Sequence, residues 1–184
     1  MYPIQFVLGG CRSGKSKYAL TYANTNWPPQ KCFIATSEPL DHEMKARITN
    51  HQKERGPDWH TIETPINICD TIQNESYKYS GILLDCVTLW INNLMCQNMD
   101  DDTIKKQIAQ LLHTLKQIKC PIIIVSNEVG LGIVPDNAMA RLYRDLVGYA
   151  NQQIAAISEI VVFMVAGIPM PLKQPSEVVR SSSD

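Results

Sequence analysis

Eight consecutive residues, Gly9-Gly10-Cys11-Arg12-Ser13-Gly14-Lys15-Ser16, satisfy the pattern G-x-x-x-x-G-K-[ST] at every fixed position. Glycines let a backbone curl so that successive N–H groups point into one concavity, which favours an anion. A helix starting just beyond adds its free N–H groups and the positive end of its dipole. Lys15 then has the length to reach β- and γ-phosphates, and the Ser16 hydroxyl is a ligand for Mg²⁺. At average residue usage a match arises by chance in fewer than about 1% of chains of this size. The flanks decide the matter further: the apolar run Ile4 to Leu8 precedes the motif, and Lys17 to Ala23 can be helical. Strand, glycine loop and helix start together predict a nucleoside triphosphate site.

Other residues can take part in the same chemistry. Asp85 closes the short apolar run Gly81-Ile82-Leu83-Leu84. An acid there is placed to hold Mg²⁺ beside a phosphate loop, although Asp also favours helix N-caps. Arg12 and Lys17 flank the loop and can either touch phosphates or stay solvated. Glu128 falls in a glycine-bearing segment and can accept a proton, accept a substrate hydrogen bond, or cap a turn. The four histidines are at 42, 51, 60 and 113. His113 reads as a surface residue and His60 as packing near Trp59. His51, beside Lys53 and Arg55, is chemically competent as a nucleophile because imidazole is largely neutral at pH 7. Residue type and spacing do not by themselves raise it above an ordinary surface histidine.

The elements that must position these groups alternate. Apolar runs at 4–8, 31–36, 81–85, 121–125 and 159–165 read as strands, with 59–64 as a further extended piece. Helices are expected over 41–55, 65–73, 87–95, from Asp100 to about Ile118, and from an Asp136 cap to about Ser158. In the fourth of these, Ile104, Ile108, Leu111, Leu112, Leu115 and Ile118 form an apolar stripe; in the last, Leu142, Leu146, Ala150, Ile154 and Ile157 do. The segment 41–55 is polar on most faces. Gly167 to Leu172 reads as a turn-rich end, and 174–184 as a disordered tail. This order predicts an α/β fold with a mainly parallel central sheet flanked by helices, in one catalytic domain over 1–173. Ligands collect at the carboxyl ends of such strands. The glycine loop, Thr36-Ser37, Asp85 and the segment Ser126 to Gly132 all fall there.

Composition narrows the function classes. The 184 residues carry a formal net charge of −1, so no basic field argues for nucleic acid. No apolar run approaches the roughly 20 residues of a membrane span. The first residues lack a basic stretch followed by a long apolar one, so secretion is not expected. The six cysteines stand singly, without C-x-x-C, and read as thiols in a reducing cytoplasm rather than as a zinc site.

Several blocks together carry a resemblance. GGCRSGKS, FIATSEPLDHEMKARITNHQKERG, WHTIETP, ILLDCVTLWINNLM and VSNEVGLGIVPDNAMARLYRDLVGYANQQIA resemble the bifunctional adenosylcobinamide kinase / adenosylcobinamide-phosphate guanylyltransferase family, from about Phe6 to about Lys173. The block D-x-E-M-x-x-R-I-x-x-H and the segment SNEVGLGIVP are its most specific parts. The resemblance implies a P-loop NTPase fold of the RecA-like group, a homotrimer, and a cytoplasmic role in cobalamin synthesis. It implies two activities: phosphorylation of the aminopropanol hydroxyl of adenosylcobinamide, and transfer of GMP from GTP to the resulting phosphate through a GMP–histidine intermediate. The family's histidine falls on His51. Nucleotide binding carries over to Gly9, Gly10, Cys11, Arg12, Ser13, Gly14, Lys15 and Ser16, to Ile34, Ala35 and Thr36, and to Gln52, Lys53, Glu54, Arg55, Glu63 and Asp85. Cys11 stands where the family usually has alanine, a small change in a loop that binds through its N–H groups. Two rival readings share the phosphate loop: a simple small-molecule kinase with no covalent intermediate, and a nucleotide-dependent switch or NTPase subunit.

Overall fold

The computed structural model describes residues 2–37 and 55–175. The elements in chain order are β1 (Ile4–Gly9), α1 (Lys15–Asn26), β2 (Lys31–Ala35), β3 (Trp59–Glu63), α2 (Ile68–Glu75), β4 (Ile82–Asp85), α3 (Val87–Cys96), α4 (Asp101–Lys116), β5 (Ile122–Asn127), α5 (Ala138–Ile157), β6 (Ile160–Val165) and β7 (Ile168–Lys173). They form one seven-stranded sheet in the order β3-β2-β4-β5-β1-β6-β7. The first six strands are parallel, and β7 runs antiparallel to β6.

Unbroken apolar runs become the inner strands because both of their faces are covered. Val7, Phe33, Leu83, Val125 and Val162 face the layer that holds α1, with Ala19 and Leu20 packed on them. Phe6, Ile34, Leu84 and Ile124 face the other layer, against Trp90 of α3, Ile108 of α4 and Leu146 of α5. Each such fully buried side chain contributes about 1.5–3 kcal/mol. The stripe of α4 is buried as expected at Ile104, Ile108, Leu111 and Leu115, and Asp100 caps the helix by accepting from the Thr103 N–H at 2.7 Å.

Three readings of the sequence change. The segment 168–173 is not a turn-rich end but an outer strand. Pro169 and Pro171 argue against a strand, yet they stand two apart, so both missing N–H groups lie along the same strand edge, which an outermost strand tolerates. The turn before it uses Ala166 (φ 50°) and Gly167 (φ 82°). Asn137, not Asp136, caps α5, its Oδ1 accepting from the N–H groups of Met139 and Ala140. Leu142 is exposed instead of completing the apolar stripe of α5. His60 packs as expected, stacking on Tyr79 with ring centroids 5.7 Å apart and planes 9° apart. The helix expected over 41–55 lies, except for Arg55, outside the described residues, and so do His51, Gln52, Lys53 and Glu54.

Candidate active site

The phosphate loop leaves β1 at Gly9 and enters α1 at Lys15. Gly9 has φ +152°, and a Cβ placed there would lie 2.5 Å from the Met164 carbonyl oxygen and 2.7 Å from Ser13 Oγ. The first of these is β6 backbone, which cannot yield. Gly14 stands at the N-cap of α1 with a left-handed φ of 97° and offers no side-chain cap, so the first N–H groups of the helix keep their donors for a ligand. The loop is held from inside by Ser13 N–H donating to the Gly10 carbonyl at 3.3 Å. From outside, the Gly167 N–H donates to the Ser13 carbonyl at 3.0 Å. The β6–β7 turn is thus part of the loop's support.

Lys15 folds over the loop, its Nζ donating to the Gly10 carbonyl at 2.6 Å. Only 8% of the residue is exposed. Burial pushes its pKa below the usual 10.5, and Asp85 pulls the other way. An anion in the loop would add its counter-charge to that of Asp85 beside this desolvated ammonium.

Ser16 and Asp85 meet although they stand 69 positions apart. Ser16 Oγ donates to Asp85 Oδ2 at 2.7 Å. The contact follows from topology: α1 packs on β4, and Asp85 ends β4 on the face toward α1. A hydroxyl and a carboxylate are an oxygen-only donor pair that suits a hard cation such as Mg²⁺. Among the described residues no group of three or more His, Cys, Asp or Glu could hold a metal. The pair would therefore depend on phosphate oxygens and water to complete a coordination shell.

The end of β2 is tied to the same place. Thr36 N–H donates to the Asp85 carbonyl at 3.1 Å. Its Oγ1 donates to the Cys86 carbonyl and accepts from the Cys86 N–H, both at 2.8 Å. Asn93 Nδ2 holds the Thr36 carbonyl at 2.8 Å and the Pro65 carbonyl at 3.1 Å. Beyond β5, the Glu128 N–H donates to the Gly9 carbonyl at 3.0 Å. The four polar segments expected at the carboxyl ends of the strands are therefore neighbours, in the order Thr36, Asp85, Ser126–Gly132 and the loop.

Other expected site residues stand differently. Ala35 ends β2 in register with Asp85 on one side and Glu63 on the other, and Glu63 is exposed. Ile34 turns its side chain into the core, leaving only its backbone to a ligand. Arg55 lies over the Phe33 ring, 3.3 Å from its centroid, and Nη1 donates to Thr61 Oγ1 at 2.8 Å. Cys11, Arg12 and Lys17 are exposed around the loop, Arg12 in a left-handed conformation (φ 54°). All six cysteines are free, and burial pushes the Cys86 thiol, next to Asp85, up to about 12.

Sequence reading missed the supports of the site. Thr88 Oγ1 accepts from the Asn127 N–H at 2.6 Å and shares a hydrogen bond with Ser126 Oγ at 3.0 Å, while Tyr143 donates to the Thr88 carbonyl at 3.2 Å. The Asn93 amide interrupts the apolar run of α3. That interruption was the available signal, since a polar side chain on a core-facing helix needs a partner.

Gly9 supports a direct prediction. Gly9→Ala should lower stability by about 1–3 kcal/mol, as overpacking against fixed backbone does. It should also weaken nucleotide binding, and thermal unfolding with and without GTP reads both effects. Nothing lies within 4 Å of a Cβ at Gly10, so Gly10→Ala should leave stability nearly unchanged.

Residues 5–172 match the family model described as "Cobinamide kinase / cobinamide phosphate guanyltransferase". The chain is 40% identical to the bifunctional adenosylcobalamin biosynthesis protein CobP of Pseudomonas aeruginosa, over 91% of this chain and 95% of that one. It is 35% identical to the bifunctional adenosylcobalamin biosynthesis protein CobU of Escherichia coli K12, over 91% of this chain and 98% of that one. Among solved structures, the flagellar accessory protein FlaH from Methanocaldococcus jannaschii superposes with a TM-score of 0.51 at 13% identity, covering 94% of this chain and 79% of that one. The RadB recombinase does so with a TM-score of 0.50 at 12% identity, covering 88% and 73%. At such identity the likeness is one of fold, the RecA-like P-loop NTPase fold expected from the sequence.

Proposed function

The chain belongs to the cobinamide kinase / cobinamide phosphate guanyltransferase family, and from this we propose that it performs both reactions of that family at one site. In the first, ATP or GTP phosphorylates adenosylcobinamide. In the second, GMP passes from GTP to adenosylcobinamide phosphate, giving adenosylcobinamide-GDP and pyrophosphate. The observation that carries this reading is the apposition of Ser16 Oγ and Asp85 Oδ2 at 2.7 Å, directly after a loop over which the buried Lys15 ammonium is folded. We read residues 1–173 as one catalytic domain that works in the cytoplasm as a homotrimer.

The chemistry assigned to each residue follows. N–H groups of Gly9 to Ser16 and the start of α1 hold the phosphates, and Lys15 balances the charge that builds on the leaving oxygens. Ser16 and Asp85 would hold Mg²⁺, which supplies charge neutralisation and orients phosphate oxygens. In guanylyl transfer a neutral imidazole nitrogen of His51 attacks the α-phosphorus. The P–N bond forms as the bond to the bridging oxygen breaks, and pyrophosphate leaves with the electron pair. An oxygen of the substrate phosphate then attacks the same phosphorus and releases His51 unchanged. Splitting one difficult displacement into two is the general gain of a covalent nucleophile. Gln52, Lys53, Glu54, Arg55, Glu63, Ile34, Ala35 and Thr36 would shape the nucleotide's surroundings, with Cys11 and Arg12 at the loop's outer rim.

In the kinase step the corrinoid hydroxyl attacks the γ-phosphorus, where positioning and electrostatics dominate. Asp85, which accepts from Ser16, and Glu128, which accepts from the Gly130 N–H, are the two carboxylates we assign as candidates for the hydroxyl proton. Incubation with GTP labelled at the α-phosphorus tests the whole scheme. A protein-bound label that is acid-labile and base-stable is expected, and it should be discharged by adenosylcobinamide phosphate. A simple kinase would show γ-transfer with no α-label, and a switch would hydrolyse the nucleotide regardless of cobinamide.

A further inference from the structure

The loop between β5 and α5 exposes a run of apolar side chains. Leu131 is 80% exposed, Ile133 96%, Val134 62%, and Met139 in the first turn of α5 71%. Single exposed apolar residues are ordinary on a protein surface, but a contiguous group marks a binding surface.

This loop is also held in place. Arg144 Nη2 donates to the Gly130 carbonyl at 3.1 Å and Nη1 to the Ile133 carbonyl at 3.4 Å. Arg141 Nη1 donates to the carbonyls of Pro135 at 2.9 Å and Asp136 at 2.7 Å. Glu128 Oε1 accepts from the Gly130 N–H at 2.6 Å, and the Asn127 N–H is anchored on Thr88. Two guanidiniums and a carboxylate thus face the loop's own backbone, and Leu131, Ile133, Val134 and Met139 are exposed beside Asp136. A surface ordered before binding loses less freedom when a ligand arrives.

Position identifies the ligand. β5 is the neighbour of β1 in the sheet, and the Glu128 N–H bonds the Gly9 carbonyl, so the segment that carries this apolar surface leaves the sheet beside the phosphate loop. An acceptor that attacks a bound phosphate must bring its oxygen to roughly 3–3.5 Å from phosphorus. When that oxygen sits on a short arm of a large macrocycle, the macrocycle must lie against a wall adjoining the loop. A corrin ring edged with methyl groups and amide arms matches a wall of aliphatic side chains interleaved with backbone polar groups.

We propose that Leu131, Ile133, Val134 and Met139 form the platform that seats the corrin macrocycle, while the phosphate loop holds the nucleotide. This rests on the corrinoid being the acceptor. Ile133→Ser and Leu131→Ser change side chains that are mostly in water, so the variants should fold. Steady-state kinetics with varied adenosylcobinamide at saturating GTP should show the corrinoid KM raised about tenfold or more, as loss of one aliphatic contact predicts. GTP affinity should stay within about twofold, since a contact made to the corrinoid alone leaves the nucleotide's own binding unaltered. Ile133→Leu should restore the KM.

A corrinoid KM unchanged in both serine variants overturns the platform. A fall in molecular mass by sedimentation also overturns it, and makes the patch an interface between copies of this chain. If wild-type protein neither binds nor phosphorylates adenosylcobinamide, the parent reading fails instead, and the two failures are distinct.

Discussion

Replacing Lys15 by alanine is expected to remove both phosphoryl and guanylyl transfer, each by about three orders of magnitude or more in kcat. The same ammonium serves both reactions because one loop holds the triphosphate whichever phosphorus reacts. Its 8% exposure keeps water from screening the interaction, so its charge acts at full strength on the leaving oxygens. Parallel assays with adenosylcobinamide and with adenosylcobinamide phosphate check this, and retention of either activity would exclude a shared loop. Stability should respond differently. The pKa of Lys15 lies below its unfolded value of 10.5 in the nucleotide-free protein, because burial disfavours the charged form. In the pH range just below 10.5 the unfolded chain therefore binds this proton more tightly, and folding stability gains as pH rises through that window. Lys15→Met should lack that gain, which the difference between its stability–pH profile and that of the wild type would report.

His51→Ala is expected to separate the two activities. Guanylyl transfer should fall by about a thousandfold or more, since an attacking nucleophile has no substitute in its own step. The α-phosphorus label should vanish with it. Phosphorylation of adenosylcobinamide should remain within a few-fold of wild type, as in-line attack by a hydroxyl on the γ-phosphorus needs no imidazole. The two rates measured on one preparation give the answer. Equal loss of both would make His51 a residue that positions nucleotide rather than one that bonds to it. Full α-labelling of the variant would move the nucleophile elsewhere.

The legible and illegible parts of this molecule differ in kind. Strands β1, β4 and β5 were readable because a strand covered on both faces is apolar along most of its length. The cap of α4 was readable because Asp100 acts on the Thr103 N–H within its own turn. Strand β7 was not readable. Its two prolines carry a local signal against pairing, and only its place outside β6, with one edge unpaired, removes the penalty. Leu142 misled in the opposite sense, because periodicity assigns a face to each position but does not say whether a partner covers it.

The phosphate loop stood complete in the sequence. Its chemistry resides in backbone N–H groups, a lysine and a hydroxyl within eight contiguous residues, and the conformation is imposed locally by Gly9 and Gly14. What the loop works with was decided by tertiary structure. Ser16 and Asp85 are 69 positions apart, and they meet because α1 and the end of β4 share one layer of the sheet. Asn93 reaches Thr36, and Gly167 braces Ser13, for the same reason. The rigid apolar surface beyond β5 likewise exists only because Arg141 and Arg144 of α5 fold back on the loop carbonyls. Local backbone chemistry is written in neighbouring residues. Contacts between distant ones depend on the order of strands in the sheet, which follows from how the whole chain buries its apolar faces.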